Sequence, residues 1–335
     1  MTELRVDYIS GFFCITPVFQ AHKEPFCIFC PGNEEKTPPA ELIFQHKKFG
    51  LVKTMDTPDY REKNWSIRVI RHVDPILTKE GEAKYSPEPF SSEPARGMHY
   101  AIITGQDHDK AFHDLSLNQI SEALIATQET IKKVLSSKGI PYATALADVI
   151  PNEKTYLGHP HLEVIGFPAL PPFIKNETSL IKTLFEETGS CPYCRIVAAE
   201  KNGPRQILAT NYYISIVPWS PKHDYEVWIM PLKHQRSFLR LTQREIRDLS
   251  LILKTTLKAF YDTIGGPYSF VLHIGPERRS NYQFHWYIQV FPSRGRFSAL
   301  ERGLGVKVLE LLPEKIADQL SRKARKEVAN LVGVK

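Results

Sequence analysis

The sequence predicts a tandem duplication of one unit that mixes strands with a long helix, and three observations carry that prediction. Cys27-Ile-Phe-Cys30 is followed by His108 and by His159-Pro-His161-Leu-Glu163; Cys191-Pro-Tyr-Cys194 is followed by His234 and by His285-Trp-Tyr287-Ile-Gln289. His108 and His159 are 51 residues apart, and so are His234 and His285. Two capping boxes, Ser116-Leu-Asn-Gln119 and Thr242-Gln-Arg-Glu245, stand at the same offset of 126 residues. Several matches in one register are the mark of a repeated unit.

The elements follow in order. Residues 65–70 and 98–104 read as strands, separated by an insertion at 73–96 rich in Pro, Glu and Ser, a length that suits a functional loop. The box at Ser116 opens an amphipathic helix lined by Ile120, Leu124, Ile131, Val134 and Leu135 and stopped by Lys138-Gly-Ile-Pro-Tyr142. A short strand, a polar turn and the histidine strand come next. Pro168-Ala-Leu-Pro-Pro172 opens a linker over 168–184. The second copy repeats the scheme. Its strands are 212–218 and 226–231, and its helix is lined by Ile246, Leu249, Leu253, Leu257 and Phe260. Ile264-Gly-Gly-Pro-Tyr268 ends that helix, so both helices are expected to stop at a glycine. Residues 312–332 read as a charged amphipathic helix with a solvated Lys/Arg face. The expected units are therefore 1–167, a linker at 168–184, 185–311, and a helical tail at 312–335.

At 335 residues, 42% hydrophobic and 24% charged, the chain has the composition of an ordinary globular protein. A net charge of +6 suits phosphate-bearing ligands, but no basic run with interleaved aromatics points to nucleic acid. The apolar stretches 11–18 and 269–274 are too short to span a bilayer. The opening Met-Thr-Glu-Leu-Arg-Val-Asp has no signal-peptide apolar region, and a cytoplasmic location without membrane attachment is expected.

Four of the five cysteines form the two close pairs. Cys-x-x-Cys in a reducing compartment favours a metal or a redox role over a structural disulfide. A redox pair needs a nucleophilic cysteine at a helix start, and neither pair reads that way; both have the downstream histidines that zinc needs. Cys27, Cys30, His108 and His159 supply four N/S ligands, as do Cys191, Cys194, His234 and His285. Four protein ligands complete a tetrahedron, so both sets read as closed structural sites. The bland alternative makes these histidines ordinary polar residues at strand ends and leaves the equal spacing to accident. Cys14, in an apolar run, is expected to be buried packing.

Alternate residues on a strand share a face, so His159, His161 and Glu163 point the same way. With His159 held by a metal, His161 is presented in a set position. A neutral imidazole can attack an activated phosphorus, which divides a nucleotidyl transfer into two displacements. The second copy keeps its metal set but replaces this histidine by Tyr287, which argues for chemistry at His161 rather than packing.

These residues resemble the galactose-1-phosphate uridylyltransferase family of the histidine-triad superfamily. The resemblance rests on Cys27-Ile-Phe-Cys30-Pro-Gly-Asn-Glu34, His159-Pro-His161, Met230-Pro-Leu-Lys-His234, the opening Glu3-Leu-Arg-Val-Asp7 and Ala299-Leu-Glu301-Arg-Gly-Leu-Gly305, and spans essentially the whole chain. It implies a duplicated α+β fold of histidine-triad-like units, each an antiparallel sheet with packed helices, and a homodimer with the active site near the subunit interface. It implies a ping-pong reaction in which His161 takes the uridylyl group of UDP-glucose, releases glucose 1-phosphate, and passes the group to galactose 1-phosphate. Nucleotide sugar and hexose 1-phosphate are then the partners, and zinc the metal, two per chain, with iron the alternative at the second site. Glu301, Arg294 and Arg296 fall where the family contacts the hexose phosphate.

The chain departs from the family pattern at three places. Glu163 stands where the family usually has a Gln that donates to the phosphoryl group, and a carboxylate beside a phosphate is repulsive unless protonated or paired. The N-terminal arginines are absent, leaving Lys23. The usual Asn of the nucleotide-binding turn is replaced within Arg71-His-Val-Asp-Pro75, leaving Arg71 and Asp74 as candidates there. Asn152 and Gly158 are the only equivalents of the Gly-rich stretch before the histidine motif, and His273 matches a family position that can bind a second metal. These departures keep two alternatives in view. One is a phosphorylase or hydrolase acting on an ADP-sugar or dinucleoside polyphosphate. The other is a nucleotide-binding protein without turnover.

Overall fold

The computed structural model describes residues 3–16, 26–78, 88–277, 283–293 and 298–333. Its first copy runs β1 (Glu3–Val6), β2 (Phe13–Thr16), β3 (Leu42–Lys47), β4 (Gly50–Thr54), β5 (Ile67–Arg71), β6 (Ser91–Pro94), β7 (Met98–Ile103), α1 (Leu117–Ser136), β8 (Tyr142–Val149) and β9 (His161–Phe167). Then come α2 (Pro172–Thr188), α3 (Pro192–Glu200), β10 (Gln206–Ala209), β11 (Tyr213–Ile216), β12 (Val227–Pro231), α4 (Gln243–Ile264), β13 (Tyr268–His273), β14 (Tyr287–Pro292), α5 (Ala299–Leu304) and α6 (Pro313–Leu331). This is a duplicated α+β fold. An antiparallel sheet of eleven strands crosses both copies in the order β10-β11-β12-β14-β13-β8-β9-β7-β5-β3-β4, and β2-β1-β6 form a separate small sheet.

Both capping boxes are made: Ser116 and Gln119 cap α1 reciprocally, and Thr242 and Glu245 cap α4. Gly265, at φ +64, ends α4 as expected, whereas α1 stops at Ser137, short of Gly139. The two helices pack together, with Ser121 and Ser250 hydroxyls 2.8 Å apart at the contact. They cover one face of the sheet. On β9, Leu162 and Val164 belong to that core with Ile120, Ile131 and Val134. The helix approaches so closely that a Cβ on Gly166 would lie 2.3 Å from Val134 Cγ1. Alternation then turns His161, Glu163 and Ile165 to the other face, away from the helices.

The seam between copies is the β8–β13 ladder. Val149 faces Tyr268, the counterpart of Tyr142, and toward mid-strand Leu146 faces Val271, the counterpart of its own neighbour Ala145. That register is self-complementary about the middle of the strand.

Four local expectations change. The stretch 168–184 is mostly helix: Pro171 and Pro172 start α2 rather than merely turning the chain, because proline suits a first helical turn. Part of the insertion, Ser91–Pro94, pairs with β1, while 79–87 lie outside the described residues. Cys14 is exposed on β2, because its neighbours Phe13 and Ile15 pack against the Leu4, Leu77 and Ile165 cluster and alternation turns Cys14 to the other face, opposite Arg5. Cys191 is the N-cap residue of α3, so the second pair does sit at a helix start. No helix among the described residues is long and apolar enough to cross a membrane.

Candidate active site and metal centres

The first cysteine pair sits in a tight turn whose Ile28 and Phe29 are buried with Trp65, Ile70 and Tyr156. That anchor holds the thiols against the start of β9. His159 Nδ1 lies 3.7 Å from Cys27 Sγ and 3.8 Å from Cys30 Sγ, and His108 Nδ1 lies 3.6 Å from Cys30 Sγ. In the second copy, Cys194 Sγ is 3.3 Å from His234 Nδ1 and 3.5 Å from His285 Nδ1, and Cys191 completes the group. A tetrahedron with ordinary zinc–sulfur and zinc–nitrogen bonds has an S···N edge of about 3.6 Å. The donor sets therefore fit a tetrahedral ion.

The outer hydrogen bonds fit as well. His159 Nε2 donates to Gly105 O at 2.8 Å, His108 Nε2 to Glu153 O at 2.9 Å, and His285 Nε2 to Pro231 O at 3.1 Å. A carbonyl only accepts, so each ring carries its proton on Nε2 and turns the Nδ1 lone pair to the sulfurs, the usual outer arrangement of a metal-ligating histidine. Burial brings His159 and His285 down to about 4, which keeps the rings neutral. Burial also pushes the Cys27 and Cys194 thiols up to about 12, so thiolate ligands there depend on the cation's charge.

His161, two residues beyond His159, is buried as the first residue of β9. Its Nδ1 donates to His159 O at 2.7 Å, which leaves the Nε2 lone pair facing out. Phe29 meets the ring edge-on at 5.4 Å. Glu163 Oε1 lies 3.7 Å from Nε2. Burial drives the His161 pKa down, but the Glu163 carboxylate outweighs it and the net displacement is upward. Burial works against ionisation of Glu163, yet the imidazoles of His161 and His99 prevail and hold it well below the usual carboxylate range.

Sequence reasoning missed two residues here. His99 Nε2 donates to Glu163 Oε2 at 2.7 Å, and His72 stacks on His99 with centroids 4.0 Å apart. His72, His161 and Glu163 bring their polar atoms within 4.8 Å of one another. Strand alternation on β7 could have placed His99 on the Glu163 face; nothing local announces His72.

The second copy shows what the same face becomes without the histidine. Tyr287 Oη donates to Glu177 Oε1 of α2 at 2.8 Å, and Tyr193 donates to the same oxygen. Gln289 donates to Glu226 at 2.7 Å and accepts from His273 at 2.9 Å. Tyr100 faces Val164 in one ladder and Val227 faces Val290 in the other, so His99 and Glu226 occupy equivalent places. The pair is His–Glu in one copy and Glu–Gln in the other. His273 is thus bonded to Gln289 and stacked on Tyr287, apart from the cysteine set.

The remaining candidates fall in several places. Arg71 is bonded to Glu41 at 2.9 Å. Asp74 accepts from Tyr156 Oη at 2.8 Å. Asn152, at φ +67, and Gly158 line a small cavity with His108, His159 and His161. Gly158 is needed for the loop itself, since a Cβ there would fall 1.9 Å from Glu153 O. Glu301 is held in the capping box of α5 and by Lys307 at 2.6 Å, and these partners are not part of the His161 group. Lys23, Arg294 and Arg296 lie outside the described residues.

No family model matches the chain. A galactose-1-phosphate uridylyltransferase of Thermotoga maritima is 25% identical over 339 residues, covering 96% of this chain and 98% of the relative. A solved uridylyltransferase superposes with a TM-score of 0.81 at 25% identity, over 97% of this chain and 99% of that one. Along nearly its whole length the chain is similar to galactose-1-phosphate uridylyltransferases. An ADP-glucose phosphorylase of Arabidopsis thaliana is also similar, 26% identical over 302 residues, covering 88% of this chain and 81% of that relative.

Proposed function

We propose that the chain is a member of the galactose-1-phosphate uridylyltransferase family, a nucleotidyltransferase that carries the nucleotidyl group of a nucleoside-diphosphate hexose through a covalent intermediate on His161. The single observation that supports the reading most is the set tautomer of His161: its Nδ1–H is spent on His159 O, so Nε2 is the nucleophile. Nε2 attacks the α-phosphorus, the bond to the hexose 1-phosphate oxygen breaks, and hexose 1-phosphate leaves. A phosphate oxygen of the acceptor then attacks the same phosphorus, the P–N bond breaks, and His161 returns to its starting form. UDP-glucose is the donor we favour, with galactose 1-phosphate as acceptor. Zinc in the two Cys/His sets would hold the 27–30 turn and the start of α3 against the histidine strands and so fix the position of His161. In this reading Arg294, Arg296 and Glu301 contact the hexose phosphate, Lys23 contributes to substrate binding, Arg71, Asp74, Asn152 and Gly158 line the nucleotide side, and the protein works as a homodimer.

A second reading, an ADP-sugar phosphorylase, is favoured by Glu163 and by the replaced asparagine in residues 71–75, and by the similarity to the ADP-glucose phosphorylase. The test is intact-protein mass after incubation with UDP-glucose or ADP-glucose and no acceptor, followed by peptide mapping. A uridylyl group on His161, released by galactose 1-phosphate, is the expected result. An adenylyl group released by orthophosphate selects the second reading. No adduct with either nucleotide sugar would end both.

A further inference from the structure

The two departures on this side of the site face each other in the fold. His72 lies within the segment 71–75 where the family asparagine is missing and Glu163 where the glutamine is missing, and His72 Nε2 lies 4.0 Å from Glu163 Oε1, beyond hydrogen-bond reach. His72 is only 7% exposed, and its Nε2 has no hydrogen-bond partner among the described residues. An unpaired buried donor costs free energy that a ligand can recover.

The proton on that nitrogen is set by the backbone. Asp74 N–H donates to His72 Nδ1 at 3.1 Å, and Ile76 N–H donates to His99 Nδ1 at 3.3 Å. Each Nδ1 is therefore an acceptor, and each Nε2 carries the hydrogen. His99 spends its N–H on Glu163; His72 does not. The same bonds argue against a cation held by His72, His161 and Glu163, because a protonated Nε2 has no lone pair to give a metal. Burial brings His72 down to about 4, so it stays a neutral donor across the physiological range. Three atoms thus border one gap: the His72 N–H, Glu163 Oε1 and His161 Nε2. An open cavity of about 340 Å³, lined among others by Arg71, His72, Pro75 and His99, lies alongside.

We propose that His72 is a catalytic residue that donates its Nε2–H to a nonbridging oxygen of the substrate's α-phosphoryl group as His161 attacks. An amide at position 163 could make that bond; an ionised Glu163 cannot, and His99 holds its carboxylate aside. The substrate class is a nucleotide phosphoric ester or anhydride, of either base, and the proposal rests on the nucleotidyl reading above. Because charge builds on the nonbridging oxygens as the new bond forms, a donor fixed there acts on the transition state more than on binding.

The experiment is single-turnover labelling of the full-length, metal-loaded protein by UDP-glucose and ADP-glucose and by the separate Rp and Sp α-phosphorothioates. His72→Phe keeps the stack on His99 and removes the donor; His72→Asn supplies an amide donor. We expect His72→Phe to label about 10²–10³-fold more slowly, the usual effect of losing one such donor. Metal content and melting temperature should be unchanged. We also expect the wild type to discriminate between the two thio-diastereomers, His72→Phe to lose most of that discrimination, and His72→Asn to recover both rate and discrimination. Wild-type labelling rate in His72→Phe, or full diastereomer discrimination there, overturns the proposal and leaves the nucleotidyl reading standing. A third metal equivalent in the wild type that His72→Phe loses also overturns it, in favour of a cation site. Absence of labelling in the wild type overturns both readings.

Discussion

Glu163→Gln removes one charge and almost no volume. Oε1 of Glu163 lies 3.7 Å from His161 Nε2, so a phosphoryl group under attack by that nitrogen brings a negative oxygen to a comparable distance. Two unit charges about 4 Å apart repel by about 4 kcal/mol at an effective permittivity near 20. The phosphoryl charge is shared between oxygens and the carboxylate is paired with His99, so about half of that is a fair expectation, or one to two decades in rate at about 1.4 kcal/mol per decade. The cost on the other side is small. The amide oxygen still accepts from His99, and trading a charged for a neutral hydrogen bond costs about 1 kcal/mol of stability. The second copy shows that an amide fits this lattice, since Gln289 accepts from His273 at 2.9 Å. The assay is single-turnover labelling of His161 followed by intact mass, at substrate concentrations below saturation. Labelling ten- to a hundredfold faster than wild type is the expected result. A tenfold fall would refute the reasoning and show that the carboxylate itself carries a proton or a ligand in the reaction.

His161→Ala should abolish labelling while metal content and folding stay as in the wild type; near-normal turnover would remove the nucleophile. Cys27→Ser should lower bound metal from two equivalents to one by elemental analysis and reduce thermal stability, since a structural ion contributes folding free energy; an unchanged count would dissolve the first metal set. Arg68→Met removes the close partner of Asp56, whose Oδ2 it meets at 2.8 Å with both side chains at most 1% exposed, and leaves only Arg61 at 3.9 Å as an ion-pair partner among the described residues. Breaking such a buried pair costs about 3–5 kcal/mol. In a chain of 335 residues that is roughly a 4–7 °C fall in melting temperature, and a loss under about 1 kcal/mol would contradict it.

Spacing made the metal sets and the long helices legible, because ligands at equal intervals and reciprocal caps at Ser116 and Thr242 are local patterns with one physical reading. Strand alternation placed His161 and Glu163 on one face for the same reason. What stayed hidden depends on which strand lies beside which. His99 meets Glu163 only because β7 pairs with β9, and His72 reaches them because it continues the β5–β7 register opposite His99, whose carbonyl accepts from its backbone N–H. A helix start at Pro172 was masked by the proline cluster that also suits a turn. Cys14 follows an apolar pattern but falls on the uncovered face of its small sheet, whose other face carries Leu4, Phe13 and Ile15 to a core.

The self-complementary seam at β8 and β13 has an evolutionary consequence. An edge strand that pairs antiparallel with its own copy, about a point in the middle of the strand, is the contact by which two identical chains form a symmetric pair. Joining those chains end to end keeps the contact and removes the symmetry. From that moment each half mutates alone, and under the nucleotidyl-transfer proposal the pair needs only one working nucleophile. On that proposal Tyr287, sealed against Glu177, marks the half released from that selection, and His72, His99 and Glu163 mark the half that kept the chemistry.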